Sequence, residues 1–72
     1  MISRATHINK TQLKKVNKAL AAAGYSEYPG DRTTAQPEGC GSGYLSNLLD
    51  YLAAGQSGEQ QRVLKIVNNT LL

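Results

Sequence analysis

Residues 8 to 25 read INKTQLKKVNKALAAAGY and specify the start, the buried face and the end of one helix. Asn9 is placed to accept a hydrogen bond from an early helical amide. Gln12, three residues later, can reach back to the Asn9 amide, which makes a capping box. Ile8 and Leu13 occupy the two positions of a hydrophobic staple. Leu13, Val16 and Leu20 share one face at helical spacing. The alanines at 21 to 23 favour helix. Gly24 can adopt the left-handed conformation that ends it, with Tyr25 folding back on Leu20 in a Schellman arrangement. The pattern predicts a helix over residues 9–24.

Two further segments repeat the helical period. In SGYLSNLLDYLAAGQ, Leu45, Leu48, Leu49 and Leu52 form an apolar stripe flanked by Tyr44 and Tyr51. Ser42 is the expected cap and Gly55 the expected stop. In SGEQQRVLKIVNNTLL, Ser57 and Gln60 form a second candidate capping box, with Glu59 in the first turn. Val63, Leu64, Ile66, Val67 and Leu71 make the apolar face. Between the first two helices, SEYPGDRTTAQPEGCG shows no period. Its YPGD reads as a turn with Pro29 second and Gly30 third. The expected architecture is all-α: a small three-helix domain with a long irregular loop between helix 1 and helix 2. It occupies residues 1–72 as an N-terminal arm (1–8), helix 1 (9–24), loop (25–42), helix 2 (43–55) and helix 3 (58–70).

Seventy-two residues with about fifteen larger apolar side chains make a small core, one that rarely supplies more than ~3–5 kcal/mol of net stability. A single cysteine, Cys40, and a single histidine, His7, provide neither an internal disulfide nor a structural zinc site. No cofactor or metal is expected, and support from self-association or from a partner chain is. No apolar run approaches the ~20 residues of a membrane helix, and MISRATHINK has no segment suited to a secretory signal. The reading is a soluble cytoplasmic protein that does not engage membranes.

The stretch EGCGSGY, residues 38 to 44, invites three catalytic readings. Its glycines give G-x-G-x-G, but the dinucleotide fingerprint needs G-x-G-x-x-G after a strand, and Tyr44 stands where the third glycine belongs. A phosphate loop needs a lysine followed by Ser or Thr at the helix start, and residues 44 to 47 are Tyr, Leu, Ser and Asn. CGSGY partly matches C-G-[SA]-C-[WY] of the cysteine proteases, with Gly43 in place of the second cysteine. That family's histidine follows the cysteine, whereas His7 precedes it. A thiol just before a helix start would gain thiolate character, but no base or charge partner stands near Cys40 in the sequence. His7 reads as a solvated residue before a cap. The carboxylates Glu27, Asp31, Glu38, Asp50 and Glu59 are scattered without catalytic pairing. The expectation is a hinge of flexible backbone, and a protein that is not an enzyme.

Charge is uneven. Residues 1 to 18 hold Arg4, Lys10, Lys14, Lys15 and Lys18 and no acid, while the remainder holds three cations against five carboxylates. Lys10, Lys14 and Lys18 make an i, i+4, i+8 row opposite the Leu13/Val16/Leu20 face, with Lys15 beside it. A solvated face is the plainer explanation; a surface for an acidic protein or for phosphates is the functional one. No aromatic residue interleaves the row, which argues against stacking on single-stranded nucleic acid. Tyr25, Tyr28 and Tyr44, with Arg32, extend the proposed contact surface into the loop, since tyrosine offers contact area at low entropy cost.

The competing reading is a small DNA-binding regulator that uses helices 2 and 3 as a degenerate helix-turn-helix. Gly55 lies in the turn, and Gln60, Gln61, Arg62 and Lys65 can contact bases and phosphates. Tyr51 stands where that motif has a small residue and Gln61 where it has an apolar one. Glu59 would face phosphates. The favoured expectation is therefore non-catalytic docking on a macromolecule, a protein first. In size and style the chain looks like the accessory proteins of phages and mobile elements, some of which inhibit host defence machinery such as CRISPR complexes. That resemblance implies an inhibitor acting through protein–protein contact.

Overall fold

The computed structural model describes residues 2–72. Three helices and one short antiparallel strand pair follow in the order β1 (His7–Ile8), α1 (Lys10–Ala22), β2 (Gly43–Tyr44), α2 (Leu45–Ala53) and α3 (Ser57–Leu71). His7 pairs with Tyr44 and Ile8 with Gly43.

α1 forms as its local signals dictate. Asn9 Oδ1 accepts from the Gln12 amide at 2.8 Å, and Gln12 Oε1 accepts from the Asn9 amide at 3.1 Å. Ile8 and Leu13 are both buried, as a staple requires. At the far end Gly24 has φ 88°. The Tyr25 amide donates to Leu20 O at 2.9 Å and the Gly24 amide to Ala21 O at 3.1 Å, the two bonds of a Schellman motif.

The other two helix starts depart from expectation. Gly43 and Tyr44 belong to β2, so α2 begins at Leu45 with Tyr44 as its cap, and no side chain caps it. Ser42 does not reach it. The N-terminal segment supplies the acceptors instead: Leu45 N–H donates to Thr6 O at 3.0 Å and Ser46 N–H to Arg4 O at 2.9 Å. Helix amides need some acceptor, and here backbone distant in sequence provides it. Residues 2 to 8 are thus a strap packed on the domain. The expected Ser57–Gln60 capping box is also absent, because Ser57 already lies inside α3 and Gln56 is its cap. The Gln60 side chain turns inward.

α3 packs against both α1 and α2. The core joins Ile8, Leu13, Val16 and Leu20 to Leu45, Leu48 and Leu49, and to Val63 and Val67 of α3. Tyr28 is the aromatic member of this cluster. Tyr44 and Tyr51, expected to flank the α2 stripe, remain 49% and 46% exposed.

The connection between α1 and β2 is tied at both levels. Asn17 holds Tyr28 through two bonds, Nδ2 donating to Tyr28 O at 2.9 Å and Oδ1 accepting from Tyr28 N at 2.8 Å. Residues 29 to 31 then run beside residues 40 to 42. Gly41 N–H donates to Pro29 O, Asp31 N–H to Ser42 O and Cys40 N–H to Asp31 O, over 2.8–3.2 Å. The YPGD turn therefore lacks its closing bond, since the Asp31 amide is given to Ser42. Gly30, at φ 102°, is what permits the approach: a Cβ there would meet the amide nitrogens of Gly41 and Ser42.

Candidate partner-binding site

The lysine row emerges as the period dictates. Lys10, Lys14, Lys15 and Lys18 are all exposed. Lys10 and Lys14 also line a shallow cleft of about 490 Å³ together with Leu13, Asn17, Tyr28, Pro29, Cys40, Gly41 and Tyr51, and with one carboxylate, Glu27. α1, the connection and α2 each contribute one wall. Arg32 continues the basic surface, its guanidinium carbon 5.6 Å from the centre of the Tyr51 ring, within cation–π range.

The tyrosines divide differently from expectation. Tyr28 is 5% exposed and supports the cleft from beneath, so it offers no broad contact area. Tyr51 takes that place, with its ring edge-on to Tyr28 at 5.3 Å and 62°. Its heptad spacing from Tyr44 marked it as a flank of the core, and nothing local signals that it faces the lysines. Tyr44 stacks edge-on against His7 at 5.2 Å, outside this cleft. Tyr25 is half-buried and donates its hydroxyl to Glu59 Oε2 at 2.6 Å. That bond, followed by desolvation, holds the phenol above its usual range.

Asp31 organises the floor. It accepts from the Tyr28 hydroxyl and, at 3.3 Å, from the Tyr44 amide. Gly43 leaves room for it: a Cβ at Gly43 would overlap the carboxylate. Gly39 does the same for the Pro29 carbonyl, so two of the three glycines of EGCGSGY are seats for other groups. Burial pushes the Asp31 carboxyl up, but hydrogen bonds from Tyr28, Asn47 and the Tyr44 backbone, with the nearby His7, outweigh it and bring the carboxyl below its ordinary value. Burial first, then Asp31, raises the Tyr28 phenol strongly, so it stays protonated.

A carboxyl depressed by folding contributes stability that is complete above its unfolded value of 3.8 and is lost as pH falls through the folded one. Asp31→Asn is expected to cost about 1 kcal/mol at neutral pH, a modest figure because the group is partly exposed. The variant's melting temperature should also vary less with pH between about 2 and 4. Thermal melts across that range check it; equal pH dependence in both proteins would exclude this role for Asp31.

Cys40 Sγ lies 3.1 Å from Ser42 O and 3.6 Å from Ser42 Oγ. Among the described residues no cluster of three or more His, Cys, Asp or Glu side chains is placed to hold a metal ion. No helix among them is long and apolar enough to cross a membrane.

The residues suited to DNA are also separated. Gln60 is buried, with Nε2 donating to Ala53 O at 3.0 Å and Oε1 accepting from Arg4 at 2.7 Å, so it does not present its amide to a base edge. Gln61, Arg62 and Lys65 remain on the outer face of α3. Tyr51 and Gln61, the two departures from helix-turn-helix packing, are both exposed. Comparison with protein-family models, curated proteins and solved structures finds no match to this chain.

Proposed function

We propose that this protein acts without catalysis, by docking on a partner protein that has an acidic surface. The observation that carries the reading is the meeting of Lys10 and Lys14 with half-exposed Tyr51 in one cleft, beside Arg32. Lysines supply steering and charge complementarity, while an aromatic side chain in a cleft supplies the kind of anchor on which interface energy concentrates. Lys15 and Lys18 extend the charged rim, and Tyr44 adds an exposed aromatic surface nearby in sequence. An accessory or inhibitor role, as size and style imply, is one way for such docking to act.

Capture from the native cell, with nuclease treatment and mass spectrometry, tests this. Lys10→Glu, Lys14→Glu and Lys18→Glu combined should weaken partner capture by about 100-fold, since three exposed pairs at ~0.5–1 kcal/mol each become repulsions. The side chains are exposed, so the melting temperature should hold. The competing DNA regulator predicts nuclease-sensitive capture and affinity for duplex DNA that falls with salt at a log–log slope of roughly −0.9 per phosphate contacted. That outcome, or capture indifferent to the three reversals, would replace the protein-docking reading.

A further inference from the structure

A second concavity lies on the outer side of α3 and shares no residue with the cleft above. It measures about 870 Å³ and is lined by Arg4, Gln61, Arg62, Leu64, Lys65 and Asn68, among others. The strap closes one side. Ile2 N–H donates to Asn68 Oδ1 at 3.0 Å, and one Arg4 nitrogen donates to Gln60 Oε1 at 2.7 Å. Arg4 is therefore positioned while its other N–H groups stay open to a ligand.

Three cations surround this groove and no acidic side chain lines it. Arg62 has only a loose surface pair with Glu59 at 4.0 Å, worth little in water, and Glu59 already accepts from Tyr25. Arg4 and Lys65 form no salt bridge among the described residues. The floor includes half-buried Leu64. Gln61 and Asn68 contribute carboxamides able to donate to and accept from peptide groups. No aromatic side chain lines the groove to stack on a base.

We infer that the groove between the strap and α3 is a second docking site, for an extended acidic segment of a partner protein that inserts an apolar side chain over Leu64. The protein then has two separately placed acceptor faces, one on α1 and one on α3. This site stands or falls independently of the α1 cleft.

The test is a titration of the uniformly ¹⁵N-labelled full chain, followed by NMR, with a short peptide of glutamates interrupted by leucine. Saturable shifts are expected at the amides of Gly58, Leu64, Lys65 and Asn69. Arg62→Glu with Lys65→Glu should weaken binding at least about tenfold, because two attractive contacts become repulsive, with resonances elsewhere unmoved. A peptide with glutamine replacing glutamate should bind more weakly by a similar factor. Shifts confined to the amides of Lys10, Lys14 and Lys18 would overturn the inference while leaving the α1 reading intact. Equal affinity for the glutamine peptide, indifference to the reversals, or a groove that responds to duplex DNA but not to the peptide would also overturn it.

Discussion

Gly30→Ala should destabilise the protein by about 3 kcal/mol, the sum of a left-handed backbone cost of ~1–2 kcal/mol and an overpacking cost of ~1–3 kcal/mol. Gly30 has φ 102°, and the new methyl would press on the backbone of Gly41 and Ser42. Backbone cannot rotate aside as a side chain can. The ladder from residues 29–31 to residues 40–42 would open, and Tyr28 would lose its seat in the core. For a chain of this size about 1 kcal/mol corresponds to ~4–8 °C, so a fall of ~12–24 °C is expected in a melt followed by circular dichroism. Gly24→Ala is the control. Its φ is 88° but nothing lies within 4 Å, so it should cost only the backbone term, ~1–2 kcal/mol. Equal losses from the two substitutions would show that the close approach at Gly30 does not form.

Gln60→Leu should cost about 2 kcal/mol although it keeps volume and adds an apolar group to a buried position. Gln60 Nε2 is the donor to Ala53 O at the end of α2, and its Oε1 holds Arg4. Leucine removes both bonds, each worth ~0.5–1.5 kcal/mol net, while the Ala53 carbonyl keeps the Gln56 amide at 3.1 Å. Gln61→Leu, one residue on and exposed, should stay within about 0.5 kcal/mol of the parent. Urea unfolding of both variants checks the pair. A Gln60→Leu protein as stable as the parent would mean that the strap and α2 are not joined through this side chain.

α1 was legible as a capped helix, expected over 9–24 and found over Lys10–Ala22, because the Asn9–Gln12 box, the 13/16/20 face and the Gly24 stop all act within one or two turns. The lysine row was legible for the same reason, since helical period alone decides which side chains point away from a buried face. Helices α2 and α3 were legible as elements, but their starts were misassigned. Ser42 and Ser57 fit cap statistics, yet the amides they would have satisfied found Thr6, Arg4 and Gln56.

What escaped the sequence lies in partners far along the chain. Arg4 meets Gln60 across 56 positions, Ile2 meets Asn68 across 66, and Tyr25 meets Glu59 across 34. Tyr28 stands in the polar stretch SEYPGD and Tyr51 in the leucine-rich LLDYLA, yet it is Tyr28 that is buried, because the connection packs on α1 and Asn17 holds it there. The cleft and the α3 groove have walls from separate segments, so neither exists until those segments meet.

By itself, then, the sequence determined three helices, one complete cap-to-stop helix and a row of free lysines, because these follow from bonds and periods spanning at most a few turns. The tertiary structure alone decided that EGCGSGY seats Asp31 and backbone where Cβ atoms would stand, that the N-terminal segment straps α2 and α3, and that Tyr51 faces the lysines. Those outcomes depend on which distant groups come within hydrogen-bond and van der Waals range, and local spacing carries no record of that.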